Sequence, residues 1–213
     1  MLVLSFILKT ETMKATNNIL LVAAILVLAF IILQAFVSRS TNSTETVDYK
    51  VLQSYDEFEI RSYPNVNYSS ISMVKQSYKD ASGSGFRVLA GYIFGGNEEN
   101  KSIAMTTPVA MEMGDTMRMK FIIPKEYQIS DLPKPNDSSI QFESESSKII
   151  AAISFRGWAN DEKLAQKQKE LTDFLAKKGI QHTGKFIFLG YNPPYQMTNR
   201  RNEMTVELVN YEI

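Results

Sequence analysis

The chain has 213 residues, with 23 basic and 23 acidic side chains, no cysteine and a single histidine, His182. The balanced charge gives no basic excess, so we expect no nucleic-acid partner. The composition excludes disulfides, cysteine-ligated zinc, iron–sulfur clusters, thiol catalysis and any site that needs two histidines of one chain.

An apolar segment of residues 19–37 lies near the N-terminus, and Gln34 is its only polar residue. At 1.5 Å per residue, a helix of this length nearly spans a hydrocarbon core of about 30 Å. We therefore expect a single-pass membrane anchor, preceded by a short head of residues 1–18. A cleaved signal peptide is the alternative, since residues 38–40 offer small side chains at a suitable spacing for cleavage. Flanking charges hardly favour either orientation, but a short head before a large domain suggests that the domain lies outside the cytoplasm.

Residues 38–48 are polar, rich in serine and threonine, and without periodicity, which predicts a flexible tether. The pattern changes at Tyr49, and residues 49–213 have a length that suits one domain with its own hydrophobic core.

The first half of this domain predicts two short strands around Val51 and Ile60, a third strand at 67–74, and a helix. Phe86, Leu89, Ala90 and Ile93 have helical spacing, and two glycines at 95–96 would end the helix. Strands at 103–109 and 117–124 would follow.

The second half repeats this order, with two strands, a helix at 160–179 and two more strands. Asn160 can cap the helix, and Gly179 can end it. We therefore predict an α+β domain of two duplicated ββαββ units. Both helices would lie as antiparallel neighbours on one face of a shared sheet. A groove beside them, or between them and the sheet, would be the default ligand site.

Four segments, "GFRVLAGYIFGGN", "IAMTTPV", "LPKPND" and "YNPPYQMTNRRNEMTVEL", occur in this order along the chain. Together they resemble the SOUL/haem-binding protein family over residues 49–209, and "MTTPV" and "RRNE" are the most specific of these marks. The resemblance implies a distorted antiparallel barrel built from the two units. It also implies non-covalent binding of haem or a related tetrapyrrole in an open, mostly apolar surface groove near the first helix of the domain.

On this chain, the implied cofactor-binding residues are Phe86, Leu89, Ala90 and Ile93, with Arg87 as the partner of a propionate. The alternative is that these apolar residues only pack the helix onto the sheet, which applies most to Leu89 and Ile93. No histidine of the first half is present to bind iron, and His182 matches no motif of the family. We interpret it as an exposed loop residue.

No enzyme signature is found, so the predicted role is a non-enzymatic carrier or buffer. The alternative is a module of the same fold that binds another apolar ligand or a protein partner. The "RRNE" segment, Arg200 to Glu203, could bind an anion. We favour a structural role, in which its hydrogen bonds fix the loop after Pro193 and Pro194.

Five of the ten methionines lie between Met105 and Met119. Clustered thioethers suit Cu(I), so a copper chaperone is a further alternative. A two-residue turn at 114–115 would place Met111 and Met113 on the face opposite to Met117 and Met119, whereas a three-residue loop would place all four together. "GD" favours the two-residue turn, which predicts that the methionines fill the core and bind no metal.

Overall fold

The computed structural model describes residues 2–42, 44–74, 77–114 and 116–211. The chain divides into two compact units, Met1–Asn42 and Ser43–Ile213. The first unit contains helix α1 (Leu2–Asn42). Its segment Thr16–Ser40 is long and apolar enough to cross a membrane, a property that secretory signal sequences share. The side chains of this segment are almost all exposed, unlike those of a core helix in a soluble protein.

The second unit is an antiparallel sheet of nine strands with two helices. The strands are β1 (Lys50–Ser54), β2 (Glu59–Tyr63), β3 (Val66–Val74), β4 (Val109–Met113), β5 (Thr116–Ile122), β6 (Gln141–Glu145), β7 (Lys148–Arg156), β8 (His182–Gly190) and β9 (Arg201–Leu208). The helices are α2 (Tyr78–Ile93) and α3 (Asp161–Lys177), and a 3₁₀ turn lies at Ile129–Asp131. The α+β class is therefore confirmed.

The strand order is β1-β2-β7-β9-β8-β4-β5-β3-β6. Apart from β1, this order is symmetric about the β4–β8 pair, because β2 joins the strands of the second half and β6 joins those of the first. The duplication of a ββαββ unit stays a prediction, and this symmetry favours it. The sheet ends at β1 and β6, which do not pair within the described residues, so it is a curled half-barrel and not a closed barrel.

Both helices begin at polar caps. Ser77 Oγ accepts the Asp80 N–H at the start of α2, and Asn160 Oδ1 accepts the Lys163 N–H at the start of α3, as predicted. The buried leucines of α3 pack on β7 and β9, whereas α2 packs on β3 and β5.

The two helices meet at their first turns, where the Tyr78 N–H donates to the Asp161 carboxylate over 2.7 Å. They are therefore in contact at their N-terminal ends, and their antiparallel direction stays a prediction. Each helix covers its own half of the sheet.

The segment 103–109, predicted as a strand, joins the sheet only at Val109. Its other contacts are isolated and form no ladder: Thr106 Oγ1 donates to the Ile122 carbonyl, and Thr107 forms a single bridge with Thr46. This bridge lies within the predicted tether, and the neighbouring Val47 is buried. The packed part of the chain thus begins before Tyr49, while the division into head, anchor and tether stays a prediction.

The pairing of β4 with β5 contradicts the predicted two-residue turn. Met111 lies opposite Met119 and Ala110 opposite Lys120, so the connecting loop has three residues, 114–116. Asp115 itself lies outside the described residues. This register places Met111, Met113, Met117 and Met119 on the same face, where three of them are buried and Met113 is half-buried. The methionines do fill the core, but the face assignment from the sequence was wrong.

Candidate functional site

The inner face of α2 holds three of the five predicted cofactor-binding residues. Leu89, Ala90 and Ile93 are buried in the main core cluster. Such burial fits the packing role that the sequence had left as the alternative for these residues. Contact of any of the five residues with a ligand stays a prediction.

Phe86 and Arg87 lie at the edge and on the outer surface of α2. The Phe86 ring is half-buried, with its centroid 5.3 Å from that of Phe121. Arg87 is exposed and makes no hydrogen bond or ion pair with a described residue. The Phe86 ring edge and the Arg87 guanidinium can thus contact a ligand that has both an apolar surface and a negative charge.

Glycines of α2 divide into two groups. A Cβ at Gly85 would lie 2.8 Å from Met73 Sδ and 3.3 Å from Met119 Cβ, so a larger residue at position 85 would displace the Met73 side chain. A Cβ at Gly83 or Gly91 would meet nothing within 4 Å. These two exposed positions lie one turn before and one turn after Arg87, so the helix backbone on either side of this arginine carries no side chain of its own.

Two small cavities exist elsewhere in the domain. One of about 10 Å³ lies between the end of α2 and β5, and one of about 30 Å³ lies against the face of the sheet that no helix covers. A single water needs about 10–15 Å³, so neither cavity can admit a porphyrin.

Glu203 is the centre of a buried polar cluster on the face without helices. Arg61 Nη1 and Nη2 donate to its two carboxylate oxygens at 2.8 and 3.1 Å, and Tyr191 and Arg201 also donate to it. Burial alone would raise the pKa of Glu203, but the hydrogen bonds and charges of Arg61 and Arg201 hold it below the usual value. All acceptor sites of this carboxylate are used within the protein, so it is not free to act as an acid or base.

Lys120 forms a second polar cluster on the same face. Its ammonium pairs with Glu112, Glu143 and Glu145, and Lys148 also pairs with Glu145. Burial opposes ionisation of Glu145, yet the two lysines lower its pKa. Neither Arg61 nor Lys120 was predicted from the sequence to be buried and paired. For Lys120 a signal existed, because a lysine inside the apolar run "MRMKFII" is expected to be buried with a partner.

The "RRNE" segment has the structural role that was favoured. Arg200 donates to the carbonyls of Asn192, Pro193 and Gln196, which fixes the loop before β9. Its guanidinium also stacks 4.1 Å from the Trp158 ring centroid. These contacts, and the pairing of Arg201 with Glu203, support the structural role over an anion site.

These observations can now be set beside known proteins. The family model described as "SOUL heme-binding protein" matches residues 44–207. The chain belongs to the SOUL heme-binding protein family.

Two SOUL relatives show the level of similarity. Human "Heme-binding protein 2" is 31% identical over 156 residues, covering 69% of this chain and 76% of the relative. "Heme-binding protein 1" of Xenopus laevis is 28% identical over 155 residues, covering 69% and 81%.

Solved structures show the same fold at much lower identity. The EcmrR C-terminal domain superposes with a TM-score of 0.56 and 8% identity, covering 76% of this chain and 99% of that one. A hydrolase from Listeria innocua gives 0.52 and 7%, covering 74% and 94%. These likenesses concern the fold alone, so they assign no activity to the SOUL domain described above.

His182 is the first residue of β8 and is half-buried, which corrects its assignment to an exposed loop. Its Nδ1 accepts the Gly184 N–H at 3.1 Å, and its ring meets the edge of Phe186. No other histidine exists in this SOUL chain. Among the described residues, no group of three or more histidine, cysteine, aspartate or glutamate side chains could hold a metal ion.

Proposed function

We propose that this protein binds haem or a related tetrapyrrole non-covalently on the outer surface of α2, as a non-enzymatic carrier or buffer. The observation that carries the proposal is the match of the SOUL family model to residues 44–207. Relatives named heme-binding proteins, 30% and 31% identical in sequence, support it. The cavities of about 10 and 30 Å³ are far too small for a porphyrin, which supports an open surface such as that of α2 as the location.

In the proposed site, Phe86 contacts the porphyrin edge and Arg87 pairs with a propionate. The bare backbone at Gly83 and Gly91 lets the porphyrin plane approach the helix. Leu89, Ala90 and Ile93 support this surface from below by fixing α2 on the sheet. The site is thus a flat, partly apolar surface with one unpaired cation.

Affinity would come from buried apolar area and the propionate contact, because no histidine is near α2. Covering one porphyrin face removes a few hundred Å² from water, worth several kcal/mol at roughly 25 cal/mol per Å² before the costs of association. This supports binding in the micromolar range without a bond to iron.

A hemin titration of the full-length protein in detergent, with apomyoglobin as competitor and empty micelles as the blank, tests the proposal. Arg87→Glu places a carboxylate beside the propionates and should weaken binding at least tenfold, and Phe86→Ala should also weaken it. His182→Ala is the matched control and should bind as the unmodified protein does. Iron-free protoporphyrin should bind about as well as hemin.

Two results would reject this site. Loss of the Soret shift in His182→Ala with normal binding in Arg87→Glu would make the histidine the ligand. Absence of any hemin binding that competes with apomyoglobin would favour the alternative, a module of the same fold for another apolar ligand or a protein partner.

The proposal includes anchoring by α1, with the domain outside the cytoplasm. Carbonate extraction should leave the full-length protein in the membrane fraction. Release into the soluble fraction, with a mature N-terminus near Thr41 by mass spectrometry, would instead identify a cleaved signal peptide. Protease digestion of intact cells should reach the domain if it faces outward.

A further inference from the structure

A row of methionines crosses three adjacent strands of the sheet beneath α2. Met73 of β3 lies opposite Met117 of β5. Met113 of β4 is one residue beyond the last pair of the β4–β5 ladder, Glu112 with Arg118, and the same register continued by one step sets it opposite Met117. The three side chains therefore occupy neighbouring positions on the same face of β3, β5 and β4.

The geometry of a sheet brings these side chains close. Directly opposed residues of antiparallel strands have Cβ atoms about 4.5–5.5 Å apart. Each thioether sulfur is two bonds beyond its Cβ and rotates freely, so three sulfurs in a row can converge on one ion placed above Met117.

Helix α2 closes over one end of this row. Met73 Sδ occupies the space that a side chain at position 85 would need, 2.8 Å from the Cβ that Gly85 lacks. Ser84 Oγ lies 3.7 Å from the same sulfur. The glycine thus creates room for a sulfur atom between helix and sheet.

The row runs from the core to the surface. Met117 is 3% exposed, whereas Met73 and Met113 are half-buried. The next strand places Phe186 beside Met113. A site here would have one buried ligand, Met117, between two half-buried ones.

Thioethers are soft, uncharged ligands, and they select soft ions such as Cu(I) over the hard ions that carboxylates bind. We propose that Met73, Met113 and Met117 form a three-thioether site for a soft monovalent ion, Cu(I) or Ag(I), separate from the tetrapyrrole surface. Because thioethers have no proton to lose near neutral pH, binding should not depend on pH between 5 and 8.

The test is a competition between the full-length protein and the chromophoric chelator bicinchoninate for Cu(I), under anaerobic reducing conditions. The unmodified protein should withdraw one equivalent of Cu(I). The double variant Met73→Leu with Met113→Leu should withdraw at least tenfold less at the same chelator concentration. The control, Met105→Leu with Met204→Leu, loses the same number of sulfurs outside the row and should behave as the unmodified protein.

Thermal unfolding separates a lost site from a lost fold. Excess Ag(I) should raise the Tm of the unmodified protein and of the control, but not that of the row variant. The single variant Met113→Leu, at a half-buried position, should fold normally and should also show weaker Cu(I) binding and a smaller rise of Tm with Ag(I). Retention of all copper by the chelator, or an equal loss in the row and control variants, would overturn the proposal.

Discussion

On the face of the sheet that carries the main core, Met111 lies opposite Met119, and both are buried in the same cluster as Leu89 of α2. On the opposite face, Arg61 and Glu203 are equally buried, with 3% and no exposure, and form a bidentate ion pair. Side chains on both faces are buried. Those on the first face are flexible and apolar, whereas Arg61 and Glu203 on the second face are charged and compensate each other.

This difference determines what each face tolerates. An apolar core accepts substitutions that conserve volume, because dispersion contacts and area burial do not depend on a particular partner. A buried charge depends on its partner, since removing one member leaves the other desolvated and unpaired. We therefore expect the two faces to respond very differently to single substitutions.

The largest effect should follow from Glu203→Ala. The change leaves Arg61 buried without its main partner, which should lower the free energy of unfolding by about 3–5 kcal/mol. Urea unfolding followed by circular dichroism measures this. Glu98→Ala, in an exposed pair with Lys134, is the control and should change stability by less than about 1 kcal/mol.

A double variant refines this prediction. Arg61→Met with Glu203→Leu removes both charges and should recover much of the lost stability. If Glu203→Ala lowers the free energy of unfolding no more than Glu98→Ala does, the buried ion pair does not contribute to stability. The expected difference between the two faces would then be wrong.

The pH dependence of stability should also report on this pair. The pKa of Glu203 is lower in the folded protein than the value of about 4.3 in an unfolded chain. The stabilisation is therefore present above about pH 4.3 and is lost as pH falls through the lower folded pKa. The Tm difference between the unmodified protein and Glu203→Gln should shrink as the pH is lowered from 7 to 3. Parallel curves over this range would contradict the assignment.

The apolar face should show a smaller effect. Changing Met111 and Met113 together to leucine conserves volume, so we expect a loss below about 1.5 kcal/mol and unchanged hemin binding. Chemical denaturation and the hemin titration measure the two quantities. A loss as large as that of Glu203→Ala would mean that this face also depends on specific contacts.

The smallest effects should come from two glycines of α2. Gly91→Ala should stabilise the protein by about 0.5–1 kcal/mol, because alanine is the better helix former and nothing lies near the added Cβ. Gly85→Ala should destabilise it, because the new Cβ would collide with Met73 Sδ. Thermal unfolding of the two variants side by side checks the sign of each effect, and equal signs would contradict the packing described for α2.

Much of the site could not be derived from the sequence. The spacing of Phe86, Leu89, Ala90 and Ile93 predicted the helix correctly, but four apolar residues at helical spacing look the same whether they face a ligand or a sheet. Only packing showed that three of them are buried in the core. Similarly, the segment "EIRSY" gives no sign that Arg61 is buried, because its partner Glu203 lies on the distant strand β9.

The sequence by itself determined the local elements that depend on neighbouring residues: the apolar α1 segment, the capped α3, most of the strands, and membership of the SOUL family through the segments around "MTTPV" and "RRNE". Tertiary structure decided what depends on pairing between distant strands. A loop of three residues in place of two shifts the β4–β5 register and brings the methionines to one face, since strand side chains alternate with a period of two. The same long-range pairing places Arg61 against Glu203, 142 positions along the chain, where the Tyr49 ring stacks on the arginine and the Tyr191 hydroxyl donates to the carboxylate.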